Sequence, residues 1–201
     1  MLCFRRADYG TPLRTIPASS PGRYHHAGEH EATQYLCLHP LGPLAELMRN
    51  NDLRTPEQVR SVRTRTWVVE VPTEGLVDIG FDDAARFGVA AEDLVADDQT
   101  MCRQLAARLR RQQRGIVVPS AALPGTRNVV LFGPRVASPW SVRPLGSFDL
   151  GAGITAQDAR PLLSLLARVR FHGQPDPALL AWRQGLGFEF VEPDWSLPEP
   201  S

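Results

Sequence analysis

Short apolar runs separated by turn-forming residues dominate this chain, with few long periodic stretches. Residues 34–38 (Gln-Tyr-Leu-Cys-Leu) are apolar-rich and flanked by polar or turn-prone positions, which predicts a strand. Alternation then puts Tyr35 and Cys37 on one face and Leu36 and Leu38 on the other. Further strands are expected over 66–71, 76–79, 116–118 and 128–132, and over 142–150 with a break near Pro144. Pro40 and Pro43 bracket a turn into a helix, in which Leu44, Leu47 and Met48 recur at helical spacing until Asn50-Asn51-Asp52. Asp82 or Asp83 can cap a helix over 84–87, with Gly88 as its stop. Asp97 or Asp98 can cap a longer one through Met101, Cys102, Leu105 and Leu109, ending at Gly115. Helices are also expected over 162–169, opened by Asp158, and over 178–184. Residues 1–22, with Pro12, Pro17 and Pro21, read as an irregular lead-in, and the proline-rich tail 193–201 as loose. No internal repeat is present. Strands and helices alternate without regular βαβ spacing, so the expected fold class is α+β, a mixed sheet flanked by helices. No Gly-x-Gly-x-x-Gly follows a strand, so a Rossmann dinucleotide fold has no support.

Length changes this picture little: 201 residues suit one domain with its own core. No window approaches the roughly 20 apolar residues of a spanning helix, and the N-terminus lacks the apolar segment of a signal peptide. No membrane association is expected. Cys3, Cys37 and Cys102 are odd in number and widely spaced, which argues against a disulfide framework and against paired-cysteine zinc. A cytoplasmic location is the natural expectation. Formal net charge is zero, which gives no drive toward nucleic acid, and no helix-turn-helix pattern can be placed.

Charge composition is more selective. All 22 basic residues are arginine. GC-rich coding accounts for that, yet it also prunes chemistry: Schiff-base catalysis and a Walker A lysine are both excluded. Any anion must be held by arginine, backbone N–H groups or hydroxyls. The acids crowd residues 70–98, where Arg86 is the one cation, whereas 103–114 holds five arginines and no acid. Solvated faces and a docking surface for a protein partner both fit that pattern.

Four side chains at element ends could carry chemistry. Arg23 lies in Gly22-Arg23-Tyr24-His25-His26-Ala27-Gly28, where two glycines permit close backbone approach. The adjacent histidines raise a metal site with Glu29, His30 or Glu31 as a further ligand, but the spacing does not favour one and no metal is expected. Tyr35, inside its strand, is either core packing with a tied hydroxyl or a ring stacked on a flat ligand. Glu46 sits among Leu44, Ala45, Leu47 and Met48. It is either the exposed edge of its helix or a partly buried functional acid, with Arg23 as a partner. Ser120 follows Val118-Pro119 and either turns the chain or donates to a phosphate or amide. It has no nucleophile elbow around it.

Taken in this order, Gly22-Arg23-Tyr24 with Gly28, the Tyr35-Leu36 strand, Leu44-Ala45-Glu46, Pro119-Ser120-Ala121 and Asn128-Val129-Val130-Leu131-Phe132 resemble the RES domain. The likeness runs from Gly22 to Phe132, and His25-His26 stands where the family often has Asn-Pro. The resemblance implies a single RES domain over 1–201, with a core of about 22–150 and a C-terminal helical extension over 155–192. It implies an ADP-ribosyltransferase-like fold and a toxin that destroys NAD+ by phosphorolysis or hydrolysis. An Xre-like antitoxin would block the site. NAD+ is then substrate, inorganic phosphate the co-substrate of the phosphorolytic route, and no prosthetic group is needed. On this reading Arg23 and Glu46 are catalytic, while Arg23, Tyr24, Tyr35 and Ser120 bind the dinucleotide. Two other outcomes stay open: transfer of ADP-ribose to a protein, and a catalytically inactive binding module.

Overall fold

The computed structural model describes residues 1–6, 19–29, 32–133, 141–144, 156–159 and 161–193. Its centre is a mixed sheet of eight strands. They are β1 (Leu2–Arg6), β2 (Thr33–Cys37), β3 (Thr64–Glu70), β4 (Leu76–Asp78), β5 (Gly115–Pro119), β6 (Arg127–Phe132), β7 (Ser141–Pro144) and β8 (Ala156–Ala159). The order is β4-β5-β6-β2-β1-β3-β7, and β8 also pairs with β3. Every pairing is antiparallel except β4 with β5. The expected α+β mixed sheet is therefore the fold.

Alternation along the strands sorts side chains onto two faces. Ile116, Val118, Val130 and Phe132 pack on one face with Leu94, Cys102 and Leu105. Val117, Val129 and Leu131 pack on the other with Leu36, Trp67 and Val69. A third cluster joins α1 (Gly42–Asn50) and α2 (Pro56–Ser61) to Leu123, Leu165, Val169 and Phe171. In α1 the buried residues Leu44, Ala45 and Met48 form the apolar stripe. A proline in its first turn costs nothing, because that N–H has no helical partner. The loop from β2 needs Gly42: a Cβ there would lie 2.4 Å from the Cβ of Cys37.

Several local expectations are corrected. Residues 2–6 are not an irregular lead-in but β1, an interior strand held between β2 and β3. The segment 84–87 is a 3-10 turn without a side-chain cap; Asp83 pairs with Arg86, and Asp82 accepts from the Trp182 indole. Gly88 does end it in a left-handed conformation (φ 69°). Helix α3 (Thr100–Leu109) stops short of Gly115, and its first N–H group donates to Asp98, while Asp97 is used elsewhere. Asp158 lies in β8 and opens no helix, and Leu163–Ala167 is a 3-10 turn. Helix α4 (Pro177–Arg183) is capped by Asp176, which accepts from Leu179 N–H at 3.0 Å. Of the expected strand over 142–150, residues 142–144 belong to β7, and 145–150 lie outside the described residues. The tail 194–201 does too. Among the described residues no helix is long and apolar enough to cross a membrane.

Candidate functional site

A cleft of about 480 Å³ opens over the face of β1, β2 and β6 that carries Phe4, Tyr35, Cys37, Asn128 and Val130. The register builds this floor, since Tyr35 stands opposite Val130, Cys37 opposite Asn128, and Phe4 opposite Cys37. Its walls are the 21–24 turn, α1 and the ends of the loop after β5. Arg23, Tyr24, Tyr35 and Glu46 all line it.

The Arg23 turn is locked onto Tyr35. Gly22 N–H donates to the His25 carbonyl at 3.1 Å, closing a tight turn with Arg23 and Tyr24 at its tip. Tyr24 N–H donates to the Tyr35 hydroxyl at 2.9 Å, and that hydroxyl lies 2.8 Å from His25 Nδ1. His25 Nε2 is 3.1 Å from the Ser20 carbonyl, which can only accept. Nε2 therefore carries a proton, and in the neutral ring Nδ1 then accepts from the Tyr35 O–H. Gly22 is required here, because a Cβ would lie 2.3 Å from His25 Cε1 and 3.0 Å from the Tyr35 hydroxyl. The two readings of Tyr35 meet: its hydroxyl is tied down, and its ring borders the cleft. Burial pushes its phenol well above the ordinary range, so it stays neutral. The Tyr24 ring is buried in the core, with burial likewise raising its phenol.

Arg23 does not pair with Glu46. Its Nη1 donates to the Ala96 carbonyl at 2.7 Å and reaches the Leu94 carbonyl at 3.5 Å. Glu46 instead accepts from Asn128 Nδ2 at 3.0 Å. A carboxylate can only accept, so the amide nitrogen must face it, and the Asn128 oxygen points elsewhere. That oxygen is buried and has no hydrogen-bond partner among the described residues. Asn128 is thus a site residue that sequence reasoning left inside a strand motif. Its one local signal is a polar side chain opening an apolar strand.

Ser120 is brought near the cleft but does not line it. It is buried, and its Oγ accepts from Leu123 N–H at 3.1 Å, closing the turn after β5. Its neighbours Pro119 and Ala121 line the cleft. Arg49, which sequence reasoning also missed, lies one turn after Glu46 on α1 and lines the cleft with a buried side chain. Arg5 and Arg6 of β1 add two more cations at its edge. Among the described lining residues Glu46 is the one carboxylate beside four arginines, of which Arg49 is paired with Asp97 and Arg5 donates to Gln34 on the other face of the sheet. Arginine in the wall of the cleft favours an anion, and the carboxylate beside it favours a developing cation close by.

His25 is spent on Tyr35 and Ser20, and the proposed ligands His30 and Glu31 lie outside the described residues. Among the described residues no group of three or more His, Cys, Asp or Glu could hold a metal ion.

The family model for the RES domain matches residues 3–150. A probable NAD(+) phosphorylase of Mycobacterium tuberculosis is 33% identical over 118 residues, covering 58% of this chain and 55% of that protein. The match thus spans little more than half of the relative's length. A chain in the crystal structure of the M. tuberculosis MbcT–MbcA toxin–antitoxin complex shares the fold, with a TM-score of 0.61. That likeness covers 84% of this chain and 88% of the other, at 18% identity.

Proposed function

The chain belongs to the RES domain family, and from that premise we propose that it is a toxin-type enzyme that degrades NAD+ by breaking the nicotinamide–ribose bond. The acceptor is inorganic phosphate or water, and a cognate antitoxin of the Xre-like kind neutralises the enzyme. The observation that carries this reading is the convergence of Arg23, Tyr35 and Glu46 on one cleft, with Asn128 bonded to Glu46.

Chemistry assigns the roles. When the C–N bond breaks, its electron pair goes to the pyridinium nitrogen, and neutral nicotinamide leaves without needing a strong acid. The anomeric carbon becomes oxocarbenium-like, and the Glu46 carboxylate stabilises that charge. Attack by phosphate gives the 1-phosphate of ADP-ribose; attack by water gives ADP-ribose and a proton. Arg23 neutralises the pyrophosphate or the incoming phosphate. Its anchor on the Ala96 carbonyl pre-orders the guanidinium, so less entropy is lost on binding. The Tyr35 ring stacks on nicotinamide and excludes water. The unpartnered Asn128 oxygen is an acceptor suited to the carboxamide N–H of nicotinamide. Tyr24 acts through its backbone, holding Tyr35, and Ser120 acts by fixing the turn that presents Pro119 and Ala121.

The test is incubation of purified protein with NAD+, with and without phosphate, following nicotinamide and the adenine-containing product. Nicotinamide release with a phosphorylated product indicates phosphorolysis, and release unaffected by phosphate indicates hydrolysis. Label retained on a polypeptide would instead mean transfer to a protein. Absence of release at micromolar enzyme, free of antitoxin, overturns the proposal.

A further inference from the structure

Three arginines converge on one four-residue stretch beside the cleft. Arg23 donates to the carbonyls of Leu94 and Ala96. Arg170 Nη1 donates to the Val95 carbonyl between them at 2.7 Å. Arg49 Nη2 meets the Asp97 carboxylate at 2.5 Å. The last two are also joined directly, because Arg49 Nη1 donates to the Arg170 carbonyl at 2.6 Å, and both guanidinium groups reach the Ala121 carbonyl. Asp97 closes the set. Its Oδ2 accepts from Gly173 N–H at 2.7 Å, and its Oδ1 also faces Arg170 at 3.6 Å and His172 at 3.3 Å.

Arg49 and Arg170 are both almost fully buried, at 2% and 8% exposure, so each charge needs a nearby counter-charge. Asp97 is the one carboxylate the described ion pairs give them. Burial by itself would raise its pKa, but the Gly173 N–H and the Arg49, Arg170 and His172 charges hold it below the ordinary carboxylate value. The network reaches both chemical groups of the site. Arg49 lies one helical turn from Glu46, on the same side of α1. The carbonyls on either side of Val95 are those that hold Arg23. Arg170, in contrast, stands beyond the segment that matches the family model.

We propose that residues 170–173 complete the catalytic core rather than append to it, and that Arg170 and Asp97 are positioning residues that fix the Glu46 helix relative to the Arg23 anchor. This rests on the NAD+-cleaving reading for its kinetic readout, though the clamp itself can be seen without it.

The test compares wild type with Asp97→Asn, Arg170→Met and Arg170→Lys, measuring nicotinamide release, thermal midpoint and amide hydrogen exchange over 42–50 and 94–97. Displacement of about 1 Å at a reacting group costs on the order of 100-fold in rate. Asp97→Asn should therefore lower kcat at least about tenfold, with KM for NAD+ within about threefold, and should speed exchange in both segments. Arg170→Lys keeps a charge near Asp97 and should recover part of the loss seen with Arg170→Met. Should Arg170→Met fail to fold, Asp97→Asn and Arg170→Lys decide the matter. Unchanged kcat per folded molecule in Asp97→Asn, or unchanged exchange in both segments, overturns the clamp. If wild type releases no nicotinamide, the NAD+-cleaving reading falls by itself, and the exchange comparison alone decides whether the clamp exists.

Discussion

A Glu46→Gln variant keeps the side chain's shape and its bond from Asn128 but removes the charge. On the proposed mechanism, nicotinamide release should fall by about 10²–10³-fold, as for loss of a preorganised electrostatic partner. The thermal midpoint should move little, since the carboxylate is partly exposed and belongs to no ion pair among the described residues. A Glu46→Gln enzyme that retains more than a tenth of wild-type kcat would remove this carboxylate from the chemistry. Asp97 behaves differently because its charge serves the fold. Its folded pKa lies below the ordinary 3.8, so the ionised group is the form the folded state prefers. Its stabilisation is present above pH 3.8 and is lost as pH falls through the lower folded value. An acid unfolding series should therefore show a stability loss below pH 3.8 that Asp97→Asn lacks; identical profiles would refute the assignment.

The tight turn at 22–25 and the helix that follows β2 deliver the reactive groups, and each has one position that tolerates no growth. Gly22→Ala would force its methyl into His25 and the Tyr35 hydroxyl. We expect a destabilisation of about 1–3 kcal/mol, as for other overpacked sites, measured by denaturant unfolding, together with weaker NAD+ binding. Wild-type stability and KM in Gly22→Ala would show that the turn is plastic. Elements such as β2, β3, β5, β6 and α1 were legible in the sequence because each has a local pattern, either a short apolar run or a stripe at helical spacing. Strand β1 was not. Leu2-Cys3-Phe4-Arg5-Arg6 ends in two arginines and so does not stand out, and it becomes a strand through partners at 33–37 and 64–70. Helix α2 was missed because only Val59 is buried. Its signal is the capping box of Thr55 and Gln58, a polar motif rather than an apolar one. The candidate site divides the same way. Arg23, Tyr35 and Glu46 were readable from residue type and from the short motifs that carry them, in their order along the chain. The Asn128–Glu46 contact spans 82 positions and the Arg49–Arg170 contact 121, so neither leaves a local pattern.

Across the molecule, the three thiols are all buried. Burial pushes Cys3 up to about 12, partly offset by the N-terminal ammonium, and raises Cys37 and Cys102 too. Thiolates are the reactive form, so an aromatic disulfide reagent at pH 8 should label none of the three in the native protein and all of them in guanidinium chloride. Rapid native labelling of Cys37 would mean that the cleft floor opens. The order of the sheet carries a last consequence. Its neighbours β2 and β6 are separated by most of the family-matched segment, and Glu46 meets its amide partner only across that seam. Such long-range pairing is slow to form. During translation, a nascent polypeptide that has emerged only as far as residue 120 carries Arg23, Tyr35 and Glu46 but half a floor beneath them. Until β6 follows, the reactive groups stand over a sheet that lacks the amide meant for Glu46, so the site is assembled late in synthesis.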